Sequence, residues 1–298
     1  MPKAFINVEF PSEYNDLPRI TFPATVLTGK SGHDFLWSFY HWACGYRDTI
    51  LLLDFSRLTF FEGNLSALLV ALAQKLKCDH QIRFECFAGS DHKGMDLLMR
   101  NGLYSLLSDQ SDFHVPDHQQ STVQARLFQQ HEDGSFFDYI ENDLLGHHSL
   151  QTLPAHLRDW LLNNFFVETF TNIQVHSNCS LPFAACGQFF PVKRKMHFSI
   201  CDLGDGFFKK IQAYTAGSSQ PITEPVQAIE WALSGGSTQR TQGGNALKNI
   251  LVHCRENGHG LTIVTDGCIW EWKNGMKKCR SMAQQVYGTS IHIVFQNL

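Results

Sequence analysis

Glu168-Thr-Phe-Thr-Asn172-Ile-Gln-Val-His176, Asp202-Leu-Gly204-Asp-Gly206 and Gly243-Gly244-Asn-Ala246-Leu247 follow one another in the second half of this 298-residue chain. The first stretch lies in a helical pattern that starts near Pro154 and runs through Trp160, Leu161, Phe165 and Phe166. Its Glu168 and Asn172 are four residues apart, so a helix sets them on one face, one turn from each other. The second closes a strand pattern, Met196 to Asp202, which puts the Asp202 carboxylate at a strand end. The third opens a helix expected from Ala246 to Glu256, and a glycine turn there offers backbone N–H groups to an anion.

These residue types suit one chemistry. A carboxylate such as Glu168 orients or deprotonates an attacking hydroxyl, and the amide oxygen of Asn172, one turn away, suits Mg2+. Gly204 and Gly206 let the backbone bend and approach a ligand closely. Each stretch alone also fits an ordinary helix face or surface turn; their order and context carry the specificity.

Taken together, from about residue 150 to 298, they resemble the Bergerat-type ATPase fold of the GHKL superfamily, which gyrase-like, chaperone, histidine-kinase and mismatch-repair ATPases share. The resemblance implies ATP and Mg2+ as ligands, Glu168 as general base, Asn172 as metal ligand and His176 at an often basic position near the phosphates. It implies that Asp202 accepts a hydrogen bond from the adenine amino group, beside Gly204 and Gly206, with Thr289 close to the base. Gly243, Gly244 and Leu247 fall on the phosphate box, where Gly244-Asn-Ala246-Leu247 stands in place of Gly-x-Gly-Leu. Residues 207–242 correspond to the ATP lid, with a helix from Pro225 to Leu233; Arg240 and Lys248 are candidate phosphate contacts.

The first half reads as alternating strands and helices. Strands are expected at Phe5–Phe10, Ile20–Leu27, Thr49–Phe55 and Ile82–Phe87, and helices at Ser31–Tyr46, Leu65–Cys78 and Lys93–Leu107. Within it, Leu53-Asp54-Phe-Ser56-Arg-Leu-Thr-Phe60-Phe61 resembles the central strand and turn of STAS domains, the fold of anti-sigma antagonists. Their turn continues with a phospho-accepting Ser; here it continues Glu62-Gly63-Asn64, and Ser66 stands further on. Thr28-Gly29-Lys30-Ser31 looks like the end of a P-loop, but Ala24 stands where that loop needs its first glycine, and Ser31 reads better as a helix N-cap.

The expected fold is therefore α/β: a STAS-like sheet with helices over residues 1–112, a linker with bridging elements over 113–149, and a two-layer Bergerat sandwich with a mixed sheet over 150–298. In the linker, Thr122–Gln129 reads as a strand and Phe136–Leu145 as a short helix. Further strands are expected at Phe183–Phe190, Leu261–Trp272 and Thr289–Phe295, with a hairpin signal at Asn274-Gly275.

Composition bounds the rest. Hydrophobic residues make up 43% and charged residues 17%, a folded chain rather than a disordered one. A net charge of −4 gives no global field for nucleic acid, and the basic clusters Lys193-Arg194-Lys195 and Lys277-Lys278 read as turns. The nine cysteines include no Cys-x-x-Cys, which argues for reduced core thiols such as Cys86 and Cys201. No apolar run reaches the ~20 residues of a membrane span, and the first residues lack a signal-peptide core, so a cytoplasmic protein is expected. The expected function is a Mg2+-dependent ATPase or protein serine kinase that acts as a regulatory switch on a STAS-like or sigma-factor-like partner. The alternatives are a non-catalytic, ATP-gated interaction module and a sensor histidine kinase, for which His147 and His148 lack the usual surrounding sequence.

Overall fold

The computed structural model describes residues 14–88, 93–108, 115–238 and 245–298; the strand expected at residues 5–10 lies outside them. In the first half, strands β1 (Arg19–Thr21) and β2 (Thr25–Val26) precede helix α1 (Lys30–Ala43). Strands β3 (Ile50–Asp54) and β4 (Phe60–Phe61) lead into helix α2 (Ser66–His80), then strand β5 (Arg83–Phe87) and helices α3 (Lys93–Arg100) and α4 (Leu103–Leu107). The segment expected as one strand at Ile20–Leu27 is thus two short ones, and Gly102, at φ 81°, splits the helix expected from Lys93 to Leu107. Ser31 lies inside α1, not at its cap: Gly29, at φ 126°, makes the entry turn that a side chain would strain.

Strands β1, β3 and β5 form a parallel sheet with β3 in the middle, and its Leu51-Leu52-Leu53 run is buried, as a strand covered on both faces requires. Beyond it, β6 (Thr122–Phe128), β7 (Phe183–Phe190), β8 (Lys195–Asp202), β9 (Gly260–Thr265), β10 (Cys268–Lys273), β11 (Met276–Ser281) and β12 (Thr289–Gln296) build a seven-stranded sheet in the order β11-β10-β9-β12-β8-β7-β6. Every pairing in it is antiparallel, which corrects the expectation of a mixed sheet. The reason is local. Tight turns join β7 to β8, β9 to β10 and β10 to β11, and so short a connection reverses the chain. Two of these turns, Asp266-Gly267 and Asn274-Gly275, have positive φ at both residues, the conformation that such hairpins favour. Lys277 and Lys278 lie on β11, not in a turn; they follow the Asn274-Gly275 reversal directly.

Alternation along the large sheet gives it two different faces. Ala184, Cys186, Cys201 and Val264 point into a core shared with α1, α2 and the parallel sheet. Ala185, Phe198, Ile200 and Ile293 point into a second core under helices on the opposite side. Helix α2 is buried through Ser66–Ala73, as a helix enclosed by other layers must be. The small residues Ala184 and Cys186 on β7 leave room for its approach. The Glu62-Gly63-Asn64 turn before α2 docks here as well: Gly63 N donates to Gln188 Oε1 at 2.6 Å and Asn64 Nδ2 to Ser199 Oγ at 2.9 Å.

The helices of the second half are α5 (Asp133–Asp138), which runs into a π-helical turn at Tyr139–Leu145, then α6 (Ala155–Trp160), α7 (Val167–His176), α8 (Phe208–Thr215), α9 (Pro225–Leu233) and α10 (Ala246–Asn257), and all but α8 contribute to the second core. Helices α6 and α7 are one continuous rod, with a π-helical stretch at Leu161–Phe166 between them. Phe165, Phe166 and Phe170 anchor that rod on β7 and β8, and the Phe136 and Phe170 rings stack at 5.4 Å. Burying each such ring contributes about 1.5–3 kcal/mol, and the grip fixes which face of α7 turns away from the core. Among the described residues no helix is long and apolar enough to cross a membrane.

Candidate active site

Phe170 and Ile173 bury one side of α7, and the opposite stripe of Glu168, Asn172 and His176 is half-exposed. That stripe borders a cavity of about 390 Å³ between α7, the ends of β8 and β12, and helices α8, α9 and α10. Asp202, Gly206, Leu247 and Thr289 line it too, so residues of all three opening motifs meet there. Gly204 stands behind the wall rather than in it. Gly243, Gly244 and Arg240 lie outside the described residues, and Lys248 is exposed on α10 away from the lining.

Register explains the floor. Asp202 ends β8 directly opposite Thr289 at the start of β12, which in turn faces Thr265 on β9. Thr289 Oγ1 donates to Thr265 Oγ1 at 3.3 Å, and Thr265 Oγ1 also reaches the Gly288 carbonyl at 2.9 Å. Asp202 is buried, and its Oδ1 accepts from Gly204 N at 3.0 Å. Burial pushes its carboxyl up to about 7, against the pull of the Gly204 and Thr289 amides. A buried carboxylate at a cavity floor selects a ligand that donates to it.

The glycines clear space for the protein's own groups. A side chain on Gly204 would run into the Ser177 carbonyl, which takes Asp205 N at 2.5 Å. One on Gly206 would run into the Asp266 carboxylate, whose Oδ2 accepts from Phe208 N at 2.9 Å and from Thr265 Oγ1 at 3.1 Å. Asp266 thus fastens the 203–207 loop and the first turn of α8. The motif reading missed it, although Asp-Gly inside the apolar run Leu261–Trp272 is a hairpin signal.

At the other end of the cavity, Glu168 Oε2 accepts from Ala246 N, the first amide of α10, at 3.0 Å. A carboxylate thus stands where the N-terminal amides of a helix would hold a phosphate. Burial lowers the His176 pKa, and the Lys210 charge lowers it further. Lys210, on α8, lines the cavity and donates from Nζ to the His176 carbonyl at 2.6 Å. Trp231 of α9, packed flat against Gly236, borders the cavity from the α9 side. Neither Lys210 nor Trp231 carries a sequence signal beyond its place between the second and third motifs.

The donor set suits a nucleotide with one hard cation. The cavity falls within the range of small-molecule sites, its floor offers a buried acceptor, and its helix end already takes an anionic oxygen. No group of three or more His, Cys, Asp or Glu among the described residues is placed to hold a metal by itself; Mg2+ needs few protein ligands beside phosphate and water. No family model matches the chain, and no curated protein matches it.

Proposed function

We propose that this protein binds ATP with Mg2+ in the cavity between α7 and α10 and transfers the γ-phosphoryl group, to water or to a protein serine, as a regulatory switch. In this reading residues 150–298 are a Bergerat-type layer and the N-terminal layer is STAS-like. The observation that carries it is the convergence of Glu168, Asn172, His176, Asp202, Gly206, Leu247 and Thr289 on one cavity from motifs far apart in the chain.

Each residue then has a task. The Asp202 carboxylate accepts the adenine amino group, and Thr289 sits beside it at the same strand ends. The amides at the start of α10 take phosphate oxygens. Asn172 is the protein ligand for Mg2+, which supplies charge neutralisation at the phosphates. Glu168 accepts the proton of the attacking hydroxyl, at a site where catalysis rests on positioning and charge stabilisation. To do so its carboxylate leaves the Ala246 amide and yields that amide to the phosphate.

The Glu168–Ala246 contact also favours a second reading, an ATP-gated interaction module whose lid responds to nucleotide without turnover. For a sensor histidine kinase, His147 and His148 offer little: both point at the Gln120 carbonyl, at 2.9 and 3.0 Å, and sit in a turn rather than on a helical hairpin. Calorimetry with Mg-ATP on wild type and Asp202→Asn, then phosphate release by wild type and Glu168→Ala, tests the proposal. Binding by wild type alone, with turnover lost in Glu168→Ala, supports it. Wild type that binds no ATP at millimolar concentration rejects it, and binding without phosphate release or transfer leaves the gated module.

A further inference from the structure

Charge balance in the cavity leads to one more residue. Its walls carry three carboxylates, Glu168, Asp202 and Asp205, and a nucleoside triphosphate would add three or four negative charges. One Mg2+ offsets only two of these. Among the described lining residues Lys210 is the sole lysine or arginine. His176 does not fill the gap at neutral pH: burial and the neighbouring ammonium both favour its uncharged ring.

Geometry places the charge where it is needed. Lys210 projects from the first turn of α8, and one of its three donors is on the carbonyl of His176, one turn of α7 beyond Asn172. That bond holds the long side chain of this lining residue toward the C-terminal end of α7. The ammonium is thereby oriented before any ligand arrives, which lowers the cost of ordering it. We propose that Lys210 binds the terminal phosphates of the nucleotide, supplying positive charge from α8. The assignment rests on the ATP reading above and names the phosphate ligand within it.

The test separates phosphate from base. Affinities for Mg-ATP, Mg-ADP and adenosine are measured by calorimetry on wild type, Lys210→Met and Lys210→Arg. Removing one charge-assisted hydrogen bond to a phosphate lowers affinity about 10- to 100-fold. Lys210→Met is expected to weaken that much toward Mg-ATP and to bind adenosine as wild type does. Lys210→Arg is expected to recover most of the Mg-ATP affinity, and the salt dependence of Mg-ATP binding is expected to flatten in Lys210→Met. Acylation of wild-type lysines read by mass spectrometry gives a second readout that needs no variant: Mg-ATP protects Lys210 and adenosine does not.

Equal weakening toward adenosine and Mg-ATP in Lys210→Met would mean that the residue only props α7, and it overturns the assignment. So does unchanged Mg-ATP affinity, or equal labelling of Lys210 with either ligand. Wild type that binds neither ligand removes the nucleotide reading itself, and Lys210 falls with it.

Discussion

The Nε2 atoms of His33 on α1 and His292 on β12 lie 2.8 Å apart in the core between the N-terminal layer and the large sheet. His33 Nδ1 faces the Gly29 carbonyl at 2.8 Å and must donate to it, so in the neutral ring that burial favours its Nε2 is the acceptor. His292 therefore donates from Nε2, and its Nδ1 accepts from Ser199, whose oxygen takes Asn64 Nδ2. With both rings neutral, as burial favours, the chain of bonds ties α1 and the turn before α2 to β8 and β12. Ser199 and His292 alternate with Ile200 and Ile291 of the cavity wall, so the N-terminal layer sits directly behind the candidate site.

Stability should fall with acid because of this pair. Burial lowers both histidines below their ordinary 6.5, opposed at His33 by Gly29, Glu271, Asp34 and Glu62 and reinforced at His292 by His33 and His197. The folded state thus binds fewer protons than the unfolded chain below that pH. The contribution is whole above about pH 6.5 and is lost as pH drops toward the depressed folded values, by at most about 1.4 kcal/mol per pH unit for each proton. Asp202 acts in the opposite sense, since its raised carboxyl favours the folded state as pH falls from about 7. Wild type and the double variant share Asp202, so its effect cancels between them. Urea melts from pH 8 to 5 are expected to show a steeper loss in wild type than in His33→Leu/His292→Leu; parallel curves would reject the linkage.

This pair was invisible in the sequence, because residues 259 positions apart meet only through packing. What could be read was local. Pro225 and the apolar spacing after it gave α9 from Pro225 to Leu233, and the spacing of Glu168 and Asn172 gave their common face. The π-helical stretch at Leu161–Phe166 leaves no mark on an apolar pattern of this length. The run Leu261–Trp272 hid a hairpin because its flanks are equally apolar, so burial on both sides masked the turn. The direction of pairing in the large sheet followed from turns such as this one, which is why the mixed-sheet expectation failed.

Adenine recognition should depend on pH through Asp202. The ionised carboxylate is the stronger acceptor, because protonation weakens its oxygens and adds an O–H donor, and burial has pushed it up to about 7. Adenosine, which carries no titrating phosphate, is the ligand to use. Its affinity is expected to be flat above pH 8 and to fall below pH 7, by at most about tenfold per unit. Asp202→Asn is expected to bind weakly at every pH. A wild-type profile flat from pH 8 to 5.5 would show that the carboxylate is not the acceptor.

Glu168 should affect binding and turnover in opposite directions. Its carboxylate holds the Ala246 amide, so a phosphate must displace a like charge to reach α10. Glu168→Gln is expected to bind Mg-ATP as tightly as wild type or a few-fold tighter, and to release phosphate about 10²–10⁴-fold more slowly. Weaker binding together with normal turnover would place the carboxylate outside the reaction.

Asp266 should support the site without touching ligand. Its carboxylate takes the Phe208 amide and fills the space beside Gly206. Asp266→Ala removes a helix cap, a loss of about 1–2 kcal/mol, and frees the 203–207 loop, so both melting temperature and ATP affinity are expected to drop. Asp266→Asn keeps an acceptor and tolerates the positive φ of 51° at this turn, and it is expected to stay close to wild type. Gly206→Ala alone drives a methyl group into that carboxylate and is expected to destabilise more than Asp266→Ala does. In the Asp266→Ala background the obstacle is gone, so the double variant is expected to be more stable than the two single losses add up to. Strict additivity in urea melts would mean that residues 206 and 266 do not share this space in solution.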